Sequence, residues 1–189
     1  MMAEAAGFLL ALAESGLGLG AIMPGEVAIS GLAAAVQGPA ATWSLGIAVA
    51  VGATTGDHIG YAVGRHGGSR VRESRIVARL GSARWDRATG LVRRHGFWAM
   101  FASRLLPVVR TVMPLVAGAG GLRYRWFLLA SILGAIAWSG LWVGAGSGIA
   151  ALGVQDHPEL LLGVLLAAVA LVGGRALIAR GRAGGVRAR

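Results

Sequence analysis

The chain has 189 residues, 56% of them hydrophobic and only 14% charged, with a mean hydropathy of +0.67. A soluble domain of this length needs more polar surface, so the composition predicts an all-α integral membrane protein. The absence of cysteine excludes disulfides and thiolate metal sites. The net charge is +10, and all the lysine-or-arginine positions are arginine. Because the arginines cluster between apolar segments, they indicate orientation in a membrane rather than nucleic-acid binding. The N-terminus carries Glu4 and no basic region, unlike a cleaved signal peptide.

The first apolar block, residues 5–38, is interrupted by glycines and by Pro24. It is too short for two crossings of about 20 residues each and too interrupted for one good helix. We therefore predict a hairpin that enters and leaves on the same side of the membrane, broken at Pro24 and Gly25. Residues 40–64 then form one full span, with Trp43 and Tyr61 expected at the two interfaces.

The next segment, residues 65–95, carries nine arginines against Glu73 and Asp86. The positive-inside rule predicts that this segment is cytoplasmic. Its apolar residues favour helical pieces that lie on the inner leaflet; they are Val71, Ile76, Val77, Leu80, Trp85, Leu91 and Val92. A solvated basic loop fits the sequence equally well.

Residues 101–122 are apolar enough for a bilayer, yet they contain Arg104 and Arg110, with Pro107 between them and Pro114 beyond. Proline removes a backbone donor and clashes with the preceding turn, and arginine at membrane depth is costly and usually functional. This combination predicts a second re-entrant hairpin that is broken by the two prolines and lines a polar cavity. Because basic residues flank it on both sides, both of its ends are predicted to be cytoplasmic.

Two further spans complete the predicted topology, at residues 126–150 and 160–179, and the basic C-terminal tail returns to the cytoplasm. Residues 8–64 and 97–149 then form an inverted repeat, each with a hairpin followed by a span. Pro24 precedes a Gly-Ala pair at Gly52 by 28 residues, and Pro107 precedes another at Gly134 by 27. Such repeats are typical of transporters. The whole chain, 1–189, is predicted to be one multi-pass membrane domain.

Two acidic residues of the first hairpin, Glu14 and Glu26, are candidates for proton coupling. A carboxyl group in a low-dielectric cavity can load and release protons near neutral pH. The structural alternatives are an interfacial position for Glu14 and a capping or hairpin-stabilising role for Glu26.

Arg104 and Arg110 are candidates for binding an anionic substrate, because the planar arginine fork suits phosphate or carboxylate. They could instead pair with Glu14 and Glu26, or do both in turn if substrate or a proton breaks the pair. A permanently paired structural group of four is the alternative.

Asp57 is predicted near the cytoplasmic end of its span. There it could cap the neighbouring hairpin or pair with Arg65, two turns along the same helix, and a structural role is as well supported as a transport role. The four histidines show no metal-ligand spacing. Without a metal or nucleophile constellation, we expect neither a cofactor nor an enzyme.

Three blocks of the sequence carry a family pattern. They read E-S-G-L-G-L-G-A-I-M-P-G-E at 14–26, G-D-H-I-G-Y-A-V-G-R-H-G at 56–67 and F-A-S-R-L-L-P-V-V-R-T-V-M-P-L-V-A-G at 101–118. Together they resemble the DedA family, the bacterial branch of the VTT-domain (SNARE-associated) membrane proteins. The third block is the most specific. Many members have an extra proline between the two acids, where this chain has Gly18, Leu19 and Gly20.

The resemblance implies two facing re-entrant hairpins in a bacterial cytoplasmic membrane and a role in moving lipids across the bilayer. Bacterial members are linked to the recycling of undecaprenyl phosphate to the cytoplasmic face, and eukaryotic relatives scramble phospholipids. The functional acids of the family match Glu14 and Glu26, and its functional arginines match Arg104 and Arg110.

Our first hypothesis from the sequence is a transporter that carries a polyprenyl phosphate inward from the outer leaflet. Arg104 and Arg110 would bind the phosphate, while Glu14 and Glu26 exchange protons. The alternatives are a proton-coupled antiporter of small cations or osmolytes, a phospholipid scramblase, and a non-transporting scaffold or partner subunit. Membrane lipids and protons are the expected partners and nucleic acid is not, and the sequence leaves a homo-oligomer open.

Overall fold

The computed structural model describes residues 1–16, 25–74, 77–78, 81–104 and 107–153. These residues form helices and turns and contain no strand, so the predicted all-α class is confirmed. In chain order the helices are α1 (Met2–Gly16), α2 (Gly25–Ala35), α3 (Pro39–Arg72), α4 (Ser82–Ser103), α5 (Pro107–Ala119) and α6 (Tyr124–Ala151). Met1–Ser147 forms one compact unit, and Gly148–Arg189 forms another. Pro24 and the predicted span 160–179 lie outside the described residues.

Helix α3 packs against two other helices through a stripe of glycines that recur every fourth residue. The stripe consists of Gly52, Gly56, Gly60 and Gly64. A Cβ atom at Gly52 would overlap the carbonyl of Phe8 in α1, and one at Gly64 would overlap the carbonyl of Leu115 in α5. Residues four apart lie on one helix face, and small residues there let two backbones approach closely. The first half of α3 therefore contacts α1, and its second half contacts α5.

A second stripe on α3 joins two apolar clusters, and a charged residue lies between them. Leu45, Val49 and Ala53 belong to a cluster that also contains residues of α1, of α2 and of α6 from Ala135 onward. Tyr61 belongs to the other cluster, which contains residues of α4, α5 and the first half of α6. Asp57 occupies the intervening position of the same four-residue spacing and is fully buried.

The second predicted hairpin contains a break at Pro107 but not at Pro114. Helix α4 ends at Ser103, and α5 begins at Pro107, where the missing N–H costs no helical hydrogen bond. Helix α5 continues through Pro114, so the prediction that this proline breaks the hairpin is wrong. Pro114 costs the helix one hydrogen bond, because it has no N–H to donate to the carbonyl oxygen of Arg110. Its side chain is buried against α3, where its Cβ lies only 3.1 Å from the position that a Cβ on Gly60 would take. The segment ends at Gly121, whose φ of 77° closes α5.

The basic segment 65–95 is helical over most of its described length, because α3 extends to Arg72 and α4 begins at Ser82. Four of its apolar residues pack into the protein core instead of facing a leaflet; they are Val71, Val77, Trp85 and Val92. Leu91 is exposed, and Ile76 and Leu80 lie outside the described residues. The cytoplasmic location of the segment stays a prediction.

The predicted span 40–64 coincides with part of α3, but one of its expected interfacial aromatics is internal. Trp43 is exposed, and its interfacial position stays a prediction. Tyr61 is buried, donates a hydrogen bond of 2.6 Å to the carbonyl oxygen of Leu122 and stacks on Phe127, so its predicted interfacial position is wrong.

Among the described helices, Tyr124–Ala151 alone is long and apolar enough by composition to cross a membrane. It coincides with the predicted span 126–150. The inverted relation of the two halves and their re-entrant character stay predictions.

Candidate functional site: two buried arginines and three carboxylates

Arg110 is held between two carboxylates that come from different helices. Its Nη2 donates to Oε1 of Glu14 in the last turn of α1 and lies 2.8 Å from Oε1 of Glu26 at the start of α2. The guanidinium also lies over the ring of Trp138 in α6, with Cζ 4.4 Å from the ring centroid. Two ion pairs and a cation–π contact thus fix one buried cation.

Arg104 is paired with a single carboxylate. It caps the C-terminus of α4, and its Nη2 donates to Oδ2 of Asp57 in α3. The same carboxylate oxygen accepts a hydrogen bond of 2.6 Å from Ser131 Oγ in α6. The arginine stem fits against Gly134, where a Cβ atom would lie 2.9 Å from Arg104 Cγ. Three helices therefore meet at this ion pair.

Both arginines line one cavity of about 380 Å³. Glu26 adds a carboxylate to its wall, and the remaining lining residues are apolar or aromatic; they are Phe101, Gly134, Ala137, Trp138, Leu141 and Trp142. The cavity therefore combines two fixed cations with an apolar wall.

The site carries an excess of negative charge. Three buried carboxylates, Glu14, Glu26 and Asp57, face two buried guanidinium groups, Arg104 and Arg110. With all five groups ionised, one negative charge is uncompensated. Two carboxylate oxygens, Glu14 Oε2 and Asp57 Oδ1, are buried and have no hydrogen-bond partner among the residues that the structure describes. In a low-dielectric interior such atoms favour a proton or a cation as a partner.

Residues 23–148 match the VTT domain family. The chain belongs to this family. It is 32% identical to the uncharacterized membrane protein ML0287 of Mycobacterium leprae over 80% of this chain and 69% of that protein. It is 27% identical to Protein DedA of Escherichia coli K12 over 86% of this chain and 76% of that protein. A shorter match, 35% identical over 46% of this chain and 39% of the relative, is to the inner membrane protein YghB of Escherichia coli K12. No solved structure matches.

These matches confirm the DedA/VTT resemblance that the three sequence blocks indicated, and they identify the chain as a membrane protein. The VTT match covers Glu26, Asp57 and both arginines, and Glu14 lies nine residues before its first residue. Most of the ion-pair site therefore lies within the family domain.

In this VTT-domain protein, the structure places five of the predicted site residues in ion pairs, but the two arginines do not share the same acids. Arg110 contacts both Glu14 and Glu26, whereas Arg104 contacts neither and pairs with Asp57. The predicted pairing of Asp57 with Arg65 is wrong. Eight residues along a helix separate the two Cα atoms by about 12 Å, whereas Arg104 approaches from another helix.

Gly25 was predicted only as a residue that breaks the first hairpin, but in the structure it also makes room for the side chain of Glu14. As the first residue of α2, it lies directly against Glu14, and a Cβ atom there would overlap the Glu14 carboxylate. Its lack of a side chain is thus a condition for Glu14 to reach Arg110.

Sequence reasoning missed the contribution of α6 to the site. Ser131, Gly134 and Trp138 recur at intervals of three and four residues, which places them on one helix face. The signal in the sequence was this alignment of a serine, a glycine and a tryptophan on one face of a largely apolar span. It could have indicated that this face of α6 contacts the buried charges. Within the described ranges, no group of three or more His, Cys, Asp or Glu side chains is placed to hold a metal ion.

Proposed function

We propose that this protein transports a lipid phosphate, most simply undecaprenyl phosphate, from the outer to the cytoplasmic leaflet of a bacterial inner membrane, coupled to protons. The observation that carries the proposal is that Arg104 and Arg110 line one cavity whose remaining wall is largely apolar. A guanidinium fork matches the geometry of phosphate, and aromatic and aliphatic side chains suit an isoprenoid chain. Membership of the DedA/VTT family supports a role in membrane transport or lipid handling.

Phosphate binding requires that the arginines exchange partners. Arg110 is occupied by Glu14 and Glu26, and Arg104 is occupied by Asp57. A phosphate oxygen can replace a carboxylate oxygen at little cost, because both form the same kind of charge-assisted hydrogen bond. The displaced carboxylate must not remain buried as an unpaired anion, since that is strongly unfavourable.

The charge balance supports proton coupling. The site already has one negative charge in excess, and a phosphate adds at least one more. Protons that bind Glu14 and Glu26 release Arg110 and compensate the incoming charge at the same time. Glu14 is suited to start this exchange, because its Oε1 is bound to Arg110 while its Oε2 has no partner within the described part of the chain.

Inward movement of a phosphorylated polyprenol in liposomes, with and without a pH gradient, tests the proposal. We expect Arg104→Ala and Arg110→Ala each to lose at least about tenfold in rate, since a buried charged partner contributes well over 1.4 kcal/mol. Arg72→Ala is the matched control, because Arg72 forms an exposed pair with Asp86. Wild-type rates in both cavity variants would rule out their role in substrate binding.

A proton-coupled antiporter of small cations or osmolytes is the second candidate. The unpartnered oxygens Glu14 Oε2 and Asp57 Oδ1 favour it, because they could accept a cation instead of a proton. Cation-dependent proton flux in liposomes without polyprenyl phosphate would support the antiporter. Rapid movement of phospholipids in both directions without a pH gradient would instead identify a scramblase.

A further inference from the structure

A second cavity, of about 510 Å³, lies between α4 and α6. We call it the α4–α6 groove; it is lined by His95, Phe97, Trp98, Trp126, Leu129 and Leu133. None of these residues takes part in the ion pairs described above. Trp98 is 68% exposed and Trp126 is 42% exposed, so the groove presents two large aromatic side chains to its surroundings.

A kink in α4 shapes this groove. Gly96 has φ 40° and ψ −103°, a backbone conformation outside the helical region, within an otherwise continuous helix. Directly after Gly96, the ring of Phe97 lies 5.1 Å from that of Trp98 in α4 and 6.4 Å from that of Trp126 in α6. Aromatic clusters with exposed indoles are typical of the membrane–water interface, where the ring is apolar and the N–H is wet.

The surroundings of the groove are basic. The guanidinium of Arg125 lies over the ring of Trp126, with Cζ 5.4 Å from the centroid, and His95 lines the groove itself. Arg93 and Arg94 precede His95 and are exposed. The sequence contains no acidic residue between Asp86 and Asp156. An anion in this groove would therefore meet basic groups from both helices and no acidic group from the parts of α4 and α6 that line it.

Another groove shows that basic residues do not surround every apolar groove of this protein. It has a volume of about 310 Å³, lies between α3 and α6, and is lined by residues that include Trp43, Ile47 and Ile136. None of the described residues that line it is basic. Its neighbour Ser44 donates a hydrogen bond of 2.8 Å to the carboxylate of Glu4. Both grooves are apolar and aromatic, but only the α4–α6 groove is basic.

We propose that the α4–α6 groove is a binding site for an anionic phospholipid of the bilayer. Arg125 and His95 contact the phosphate, Trp98 and Trp126 lie at the level of the headgroup, and an acyl chain follows Leu129 and Leu133. Basic groups beside an interfacial apolar groove are the known chemistry for anionic headgroups. This site is separate from the cavity that Arg104 and Arg110 line, and it holds a resident lipid whether or not the protein transports polyprenyl phosphate.

Photocrosslinking in vesicles of equal parts phosphatidylglycerol and phosphatidylcholine tests this proposal. A benzophenone amino acid replaces Leu133 in the α4–α6 groove or, as the matched control, Ile47 in the α3–α6 groove; both side chains are exposed. Mass spectrometry then gives the ratio of the two lipid adducts. At Leu133 we expect phosphatidylglycerol to be enriched about fivefold, the effect of one arginine near an anionic headgroup. At Ile47 we expect no enrichment.

Arg125→Gln should bring the ratio at Leu133 close to that at Ile47, whereas Arg125→Lys should keep most of the enrichment. If the Leu133 variant does not fold, Leu129 provides a second exposed position in the same groove. Equal ratios at the two grooves, or enrichment that survives Arg125→Gln, would overturn the proposal. The vesicles contain no polyprenyl phosphate, so this outcome and that of the transport assay are independent.

Discussion

The two buried arginines of the site are held in contrasting ways. Arg104 has one carboxylate partner, Asp57, which lies in the middle of a 34-residue helix and is also bound by Ser131. Arg110 has two carboxylate partners, Glu14 and Glu26, which lie in separate helices on either side of residues 17–24. Arg104 therefore depends on a single fixed acid, whereas Arg110 can lose one acid and keep another.

The two arginines therefore differ in how easily a phosphate can displace their carboxylates. The Asp57–Arg104 pair joins α3 and α4 with α6, so its loss leaves an uncompensated charge where three helices meet. Because Arg110 has two carboxylate partners, it can lose one and remain paired with the other. A buried cation that changes partners during transport needs such a second partner. Variants that remove one acid at a time test this contrast.

The largest expected effect is that of Asp57→Ala, which leaves Arg104 buried without a carboxylate. We expect the free energy of unfolding in detergent to fall by about 3–5 kcal/mol, the typical cost of breaking a buried ion pair on one side. The double variant Asp57→Leu/Arg104→Met should recover most of the loss. Asp86→Ala, which removes an exposed pair with Arg72, should cost less than about 1 kcal/mol. Equal losses at Asp57 and Asp86 would contradict the structural role of the buried pair.

An intermediate effect is expected for Glu14→Gln and Glu26→Gln. Each single variant should cost about 1–2 kcal/mol, because Arg110 keeps one carboxylate. The double variant should cost clearly more than the sum of the two, since only then is the cation unpaired. A double-mutant cycle from denaturant unfolding measures this coupling, and strictly additive losses would show that the two acids do not share Arg110.

The smallest expected effect is that of Trp138→Phe, which keeps an aromatic ring beside Arg110 but weakens the cation–π contact. We expect a loss of less than about 1 kcal/mol in the free energy of unfolding. Trp142→Phe is the control, since Trp142 lines the same cavity. The difference between the two variants should vanish when Arg110 is replaced by methionine; a difference that persists would assign the loss to packing alone.

The sequence predicts the acids and arginines of the site because charged residues are conspicuous in apolar segments. Their need for partners follows from the cost of burying a charge, so the sequence alone supports an interaction of Arg110 with Glu14 and Glu26. The exact pairing does not follow from it. Spacing along the chain favours Arg65 as the partner of Asp57, because it reveals neighbours along one helix but not those that other helices bring close.

Two other errors have the same origin. A proline such as Pro114 breaks a helix in isolation, but here α5 packs against α3 and continues through it. Residue type alone favours an interfacial Tyr61, although the four-residue spacing from Leu45 through Asp57 puts it on the buried face of α3. The close packing of α3 against its neighbours could be predicted by the same reasoning, because its glycines recur at every fourth position.

The spacing of exposed side chains along α3 gives an expected depth for the site in a bilayer. Trp43 and Arg65 are exposed side chains 22 residues apart, about 33 Å by helical rise, which matches a hydrocarbon thickness of about 30 Å. If these residues mark the two boundaries, Asp57 lies about 12 Å from one and about 21 Å from the other. A phosphate at Arg104 would then be only about 5 Å from the midplane, and each leaflet would be roughly half a crossing away.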